Sequence, residues 1–240
     1  MGAQWKQAGR LSNSSKRGAI ISKMVKEILV AAKVGDPNPE NNHRLRAAVE
    51  AARKHSVPRD TIDRAIKKGS GQLDGGVVFE TITYEGFAPA RVPIIVECLT
   101  DNRNRTASDV RVLFRKGQLG NVGTVAFMFD RLGVVEATHA DGKLDPETAA
   151  IEAGAQSVEA LESGEVPAGG VGARFICETS DLDAVSKSLS AGGWALSLSE
   201  MNYIAKTPIE VSEEDKVAVT AFLTAIDDHD DVHRVYVAMK

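Results

Sequence analysis

The sequence predicts an α+β fold of three domains: a helical N-terminal bundle, a discontinuous α/β domain, and a second α/β domain inserted into it. Three observations carry this. Apolar residues recur at three- and four-residue spacing as far as Gly69, which is the period of helices. The stretch GSGQLDGG, residues 69–76, then breaks that period, and strand-like runs follow it. Residues 132–204 alternate β-α-β-α-β, whereas the helix and strand that close the chain need a sheet supplied from elsewhere. The expected boundaries are 1–76 for the helical domain and its N-terminal arm, 77–131 with 205–240 for the discontinuous domain, and 132–204 for the insert.

From Ser14 onward Ile20, Ile21, Met24, Val25, Ile28, Leu29 and Ala32 mark one face of a first helix, closed by Gly35-Asp36-Pro37. Asn41 or Asn42 caps a second helix with Leu45, Ala48, Val49 and Ala52 inward. Pro58 stands in the first turn of a third, which Gly69 ends. Three short amphipathic helices cannot each bury a face alone, so they pack together. Beyond the linker, VVFETITYEG and VPIIVECLT read as strands. A helix follows from Thr100–Arg105 through Val110, Leu113 and Phe114, and TVAFMF (124–129) and LGVVEA (132–137) read as two further strands. Asp145-Pro146-Glu147 supplies a cap, a first-turn proline and an acidic first turn for the next helix. ARFICET, a helix from Ser180 and WALSLSEMNYI complete the insert, with room for one more strand near Ala155–Leu161. Ser212 before Glu213-Glu214-Asp215 starts the last helix, and VHRVYVAM is the last strand.

The net charge of −4 hides a strong asymmetry. Residues 1–69 hold 15 Lys and Arg against 6 Asp and Glu, a balance of +9, which leaves −13 for the remainder. A polyanion is drawn to one end of such a molecule and repelled by the other. The alternative is two solvated surfaces of opposite sign that dock on each other. No run of about 18 apolar residues marks a membrane span, and the start lacks a signal-peptide core, so a soluble cytoplasmic protein is expected. Cys98 and Cys177 lie in apolar runs and read as small buried hydrophobes without a disulfide.

Enzyme chemistry leaves no mark. No GxSxG elbow, phosphate-binding GxxxxGK[ST] loop, HExxH motif or dinucleotide fingerprint is present. His229 and His233 lie close together among Asp227, Asp228, Asp230 and Asp231, but their spacing crosses from helix to strand and loses the chelating geometry of a helical pair. A metal-dependent hydrolase built on them is therefore the weakest reading. No cofactor is expected.

More informative is Thr100-Asp101-Asn102-Arg103-Asn104-Arg105-Thr106, between an apolar strand and an amphipathic helix, where polar side chains and free helix N–H groups can meet an anion. Arg103 and Arg105 can hold phosphates, and Asn102 and Asn104 can cap the helix or bond a base. Alternatively the arginines pair with local carboxylates. In the arm, Trp5 beside Lys6, with Arg10, Lys16 and Arg17, can stack on bases and grip phosphates, or the tryptophan can fold back over the helices.

Several stretches together resemble the YebC family, which includes bacterial proteins described as probable transcriptional regulators and the mitochondrial translational activator of cytochrome oxidase. They are the run from Ser22 to Gly69, YEGFAP at 84–89, IIVECLTDNRNRTASDVRVLF at 94–114, TVAFMFDRLGVV at 124–135 and DDHDDVHRVY at 227–236. The resemblance implies a helical N-terminal domain, a discontinuous α/β domain and an inserted ferredoxin-like α/β domain around a cleft. It also implies a nucleic-acid-binding function, since some members are described as DNA-binding regulators and others act on the ribosome at consecutive prolines. The chain departs from the pattern in its arm, which carries no histidine, and in Ala90, Arg91 and Pro93, which stand where relatives have glycines.

The resulting expectation is a monomeric, non-enzymatic DNA-binding transcriptional regulator. A ribosome-associated factor binding ribosomal RNA, and a protein-interaction adaptor using the acidic surface, are the alternatives. The expected contacts are Trp5, Lys6, Arg10, Lys16, Arg17, Lys23, Lys26, Arg44, Arg46, Arg53, Lys54, Lys67 and Lys68, with Asn102, Arg103, Asn104 and Arg105 as a second patch.

Overall fold

Helices come first in the computed structural model, which describes residues 15–73, 79–161 and 166–240. They are α1 (Ser15–Val34), α2 (His43–Lys54) and α3 (Arg59–Gly69). Asn42 is the cap of α2: its side chain accepts from the Leu45 N–H at 3.0 Å and donates to the carbonyls of Ala31 and Asp36 at 2.9 Å each. One side chain thus ties the end of α1 to the start of α2. A Cβ on Gly35 would lie 2.6 Å from the Asn42 amide nitrogen, so a side chain there would push the Asn42 amide from its place. Pro58 sits just before the first residue of α3, and the α2–α3 turn bends through Ser56 at a left-handed φ of 58°.

The strands form two four-stranded sheets. One has the order β3-β1-β2-β8, with β1 (Glu80–Phe87), β2 (Pro93–Thr100), β3 (Gln118–Leu119) and β8 (Val232–Val237). Strand β2 is covered on both faces, which explains its nearly unbroken apolar run. Ile94, Val96 and Cys98 pack with Val110 and Phe114 from α4 (Arg103–Leu113) and its extension, and with Val219, Phe222, Leu223 and Ile226 from α7 (Glu213–Asp227). Ile95, on the opposite face, packs with Val125, Phe129, Tyr236 and Ala238. The rings of Phe114 and Phe222 meet edge to face at 5.5 Å. Ser212 caps α7 through the Asp215 N–H.

The second sheet has the order β5-β6-β4-β7, from β4 (Phe129–His139), β5 (Ser157–Ala160), β6 (Val171–Cys177) and β7 (Ala195–Ala205), with helices α5 (Pro146–Ala153) and α6 (Leu182–Ala191). Strand β5 is the additional strand for which the sequence left room. The core here is Val135, Ala137, Phe175, Cys177, Val185, Leu189 and Trp194, and Trp194 meets Phe175 edge to face at 5.2 Å. Asp145 caps α5 and Gly154 ends it at a φ of 78°.

One expected strand is corrected. Residues 124–128 form a turn and a 3-10 segment (Ala126–Met128), and β4 begins only at Phe129. The reason is Glu85 on β1, whose buried carboxylate accepts the N–H groups of Gly123, Val125 and Ala126 at 2.7–2.9 Å and so withdraws them from any ladder. The apolar residues of this segment fill a core through Val125 and Phe129, not through strand alternation.

The chain divides into two compact units. Among the described residues, one comprises 15–23 with 79–130 and 203–240, and the other comprises 24–73 with 131–161 and 166–202. Among the described residues, no helix is long and apolar enough to cross a membrane.

Candidate nucleic-acid interface

The basic residues of the helical segment fall into two groups. Arg44 sends its Nε to Glu27 at 2.8 Å, and Arg46 donates to the carbonyls of Pro39 and Glu40 at 3.1 and 2.7 Å. Lys23 is ion-paired with Asp227, with Nζ 3.5 Å from Oδ1. These cations hold the protein's own turns and helices. By contrast, Arg53, Lys54, Arg64 and Lys67 are exposed on α2 and α3, and among the described residues they have no ion pair; Lys68 is half-buried beside them. Lys26 is half-buried on α1 and engaged. Arg64 was not singled out in the sequence because it lies one residue before the apolar Ala65, amid mixed charge.

His43 opens α2, and burial lowers its pKa, with Arg46 adding to the effect. It is therefore a weak cation at neutral pH and contributes little to a phosphate contact. Trp5, Lys6 and Arg10 lie outside the described residues. Lys16 and Arg17 lie on the first turn of α1.

The Thr100–Thr106 run forms a compact polar knot. Asn102 caps α4 by accepting the Arg105 N–H at 3.1 Å, and its own N–H goes to the Thr100 hydroxyl at 2.9 Å. The Thr106 hydroxyl lies 2.7 Å from that of Thr100 and donates to Asp231 at 2.9 Å. Arg105 donates to the same Asp231 oxygen at 2.8 Å and to Asp101 at 3.0 Å. Hydrogen bonding and the charge of Asp231 raise the Arg105 pKa further, so this cation is permanent and internally neutralised. Arg103 is exposed and meets Glu80 only at 3.6 Å, and Asn104 is exposed.

The sequence missed Asp231 as the partner of this knot. It reads as one acid of the DDHDD turn, yet it is 4% exposed while Asp228 and Asp230 face solvent. No local pattern reveals a pairing that spans 126 residues of chain. In the same turn, His229 accepts the Asp231 N–H on Nδ1 at 3.2 Å and faces Asp109 through Nε2 at 3.4 Å. Among the described residues no three His, Cys, Asp or Glu side chains converge as a metal site. Cys98 and Cys177 are buried and neither is in a disulfide, and burial pushes the Cys177 thiol up to about 11.

Comparison with known proteins places this architecture. Residues 2–72 match the TACO1/YebC protein N-terminal domain, and residues 79–239 match the TACO1/YebC second and third domain. A "Probable transcriptional regulatory protein" of Pseudomonas savastanoi pv. phaseolicola is 49% identical over 240 residues, covering 100% of this chain and 99% of the relative. A protein described in the same words from Bdellovibrio bacteriovorus is 47% identical over 238 residues, covering 98% and 99%. The crystal structure of a conserved hypothetical protein, Aq1575, from Aquifex aeolicus superposes with a TM-score of 0.80 at 34% identity, covering 99% of this chain and 97% of that one. With both halves of the chain matched and close relatives aligned end to end, this protein belongs to the TACO1/YebC family.

Proposed function

We propose that this chain is a non-enzymatic, cofactor-independent RNA-binding protein that acts in the cytoplasm on the ribosome, holding structured RNA against the exposed surface of α2 and α3. The observation that carries the reading is the split among its cations. Arg44 and Arg46 are consumed by internal partners, whereas Arg53, Lys54, Arg64 and Lys67 keep their charge available to an outside polyanion. The exposed positions of α3 also include Asp60 and Asp63 but no Asn or Gln. Exposed cations of this kind suit phosphate contacts, which a structured RNA supplies, and no Asn or Gln on α3 is present to read adenine. The translational activator among the family's named members points the same way.

DNA-binding transcriptional regulation is the second reading, favoured by the names of the bacterial relatives. In either case we place the work in a monomer of three domains. Its insert is ferredoxin-like, supported by the sheet order β5-β6-β4-β7 with α5 and α6 as the two crossover helices.

Sedimentation of gently lysed cells separates the two readings. Ribosome association at moderate salt, lost when Arg53, Lys54, Arg64 and Lys67 are changed together to Gln, is the expected result. Retention on DNA fragments with none of the protein in the ribosomal fractions would overturn the RNA reading.

A further inference from the structure

A second row of available cations stands in the acidic part of the chain, where net charge argues against any polyanion contact. Helix α4 runs alongside β1, with Arg103 at one end 3.6 Å from Glu80 and the ring of Phe114 at the other end packed against Gly86. Arg103, Arg111 and Arg115 recur at helical spacing along α4 and its 3-10 continuation (Phe114–Lys116), and all three are exposed, as is Lys116. Tyr84 of β1 packs in the same apolar cluster as Val110 of α4, which places the helix and its arginines on that face of the sheet. At a rise of 1.5 Å per residue, the row is on the order of 18 Å long.

The neighbouring charges leave this row positive. Asp101 is held by Arg105, and the carboxylates that remain beside the row, Asp109 and the Glu80 that Arg103 meets loosely, are outnumbered by its four cations. Among the described residues Arg111, Arg115 and Lys116 have no ion pair. Asn104 and Ser108 share the exposed face, with the half-exposed Val112 at its margin. At the far end, Arg91 lies over the ring of Phe87, whose carbonyl abuts Gly117, so another exposed cation stands at that end of the sheet.

We propose that Arg103, Arg111, Arg115 and Lys116 form a second phosphodiester-binding ridge that grips an RNA strand independently of α2 and α3. The inference rests on the RNA-binding reading above and deepens it: the protein holds RNA at two separate surfaces. Arg105, two residues from the start of the ridge, is not part of the grip, because Asp231 and Asp101 already occupy its guanidinium. The ridge carries no base-reading geometry, so it contributes affinity and salt dependence without sequence preference.

The test measures binding of the full-length protein to a fluorescent oligouridylate and to a hairpin RNA across a salt series. The combined Arg111→Gln, Arg115→Gln and Lys116→Gln variant should bind roughly tenfold more weakly and lower the salt slope by about 2, the amount expected for three phosphate contacts on a single strand. Replacing the two arginines by Lys should keep the slope, and unfolding midpoints should match wild type, since all three side chains are exposed. Wild-type affinity and slope in the Gln variant, alongside a loss in the α2–α3 variant, would overturn the ridge and leave the RNA reading standing. Failure of the wild-type protein to bind either RNA would remove both.

Discussion

The buried carboxylate of Asp231, just before β8, receives the Arg105 guanidinium from the first turn of α4 at 2.8 Å. The same oxygen accepts the hydroxyl of Thr106 at 2.9 Å, and the Asp231 carbonyl accepts the Leu99 N–H at 2.7 Å. Three elements, β2, α4 and β8, are thus joined at one residue. Removing it takes the shared acceptor from the buried Thr106 hydroxyl and the half-exposed Arg105 guanidinium. Asp231→Ala is expected to lower the stability of the fold by roughly 1–2 kcal/mol, with Asp231→Asn less damaging. Urea unfolding gives the answer directly, and an Ala variant as stable as wild type would show that the knot is dispensable.

Glu85 makes a comparable claim on the turn that follows β3. Burial by itself would push its carboxyl up, but the N–H groups of Gly123, Val125 and Ala126 outweigh that and hold it below its ordinary value of 4.5. A depressed carboxyl stabilises the folded state at pH values above its ordinary range, and this contribution is lost as the pH falls through the lowered folded-state pKa. Glu85→Gln should cost about 1–3 kcal/mol near neutrality. The gap between the variant and wild type should close on acidification, and a pH-independent gap would assign the effect to shape instead of charge.

Ala90 and Arg91, in the turn between β1 and β2, hold φ values of 57° and 56°, a region that penalises any side chain. Ala90→Gly is expected to stabilise the protein by about 0.5–1 kcal/mol, because relief of the Cβ clash exceeds the added freedom of the unfolded chain. Chemical denaturation should show a higher midpoint with an unchanged m-value. A lower midpoint would mean that the turn is not strained.

The two classes of cation in the helical segment predict opposite phenotypes. Arg44→Gln strips the buried Glu27 of its 2.8 Å partner and should lower stability by about 1 kcal/mol while leaving the salt dependence of RNA binding alone. Changing Arg53, Lys54, Arg64 and Lys67 to Gln should do the reverse. Thermal melts and salt titrations on the two variants decide this, and the same phenotype in both would dissolve the distinction.

The Cys177 thiol, with its pKa pushed by burial up to about 11, should be inert to a thiolate-dependent reagent at pH 8 in the native protein and react fully after denaturation. Rapid native labelling would contradict its buried position in the core of the second sheet.

Much of the architecture was legible because its signals are local. The Asn42 and Asp145 caps, the Ser212 start of α7 and the apolar run of β2 each declare themselves within a few residues. The strand expected at 124–129 failed because apolar alternation is the same whether a segment pairs in a ladder or folds back over a sheet. The Glu85 carboxylate, 38–41 residues away, selected the second outcome. The short β3 escaped notice because two residues carry no period.

The basic N-terminal segment and the acidic remainder, the helical start and the α+β class were determined by the amino-acid sequence itself, since charge balance and hydrophobic period are properties of neighbouring residues. Tertiary structure alone decided which cations face outward. Arg44 and Arg53 look alike in the chain, as do Arg103 and Arg105. Only the folded positions of Glu27 and Asp231 neutralise one of each pair and leave the other available, because electrostatic pairing depends on distance in space and not on separation along the chain.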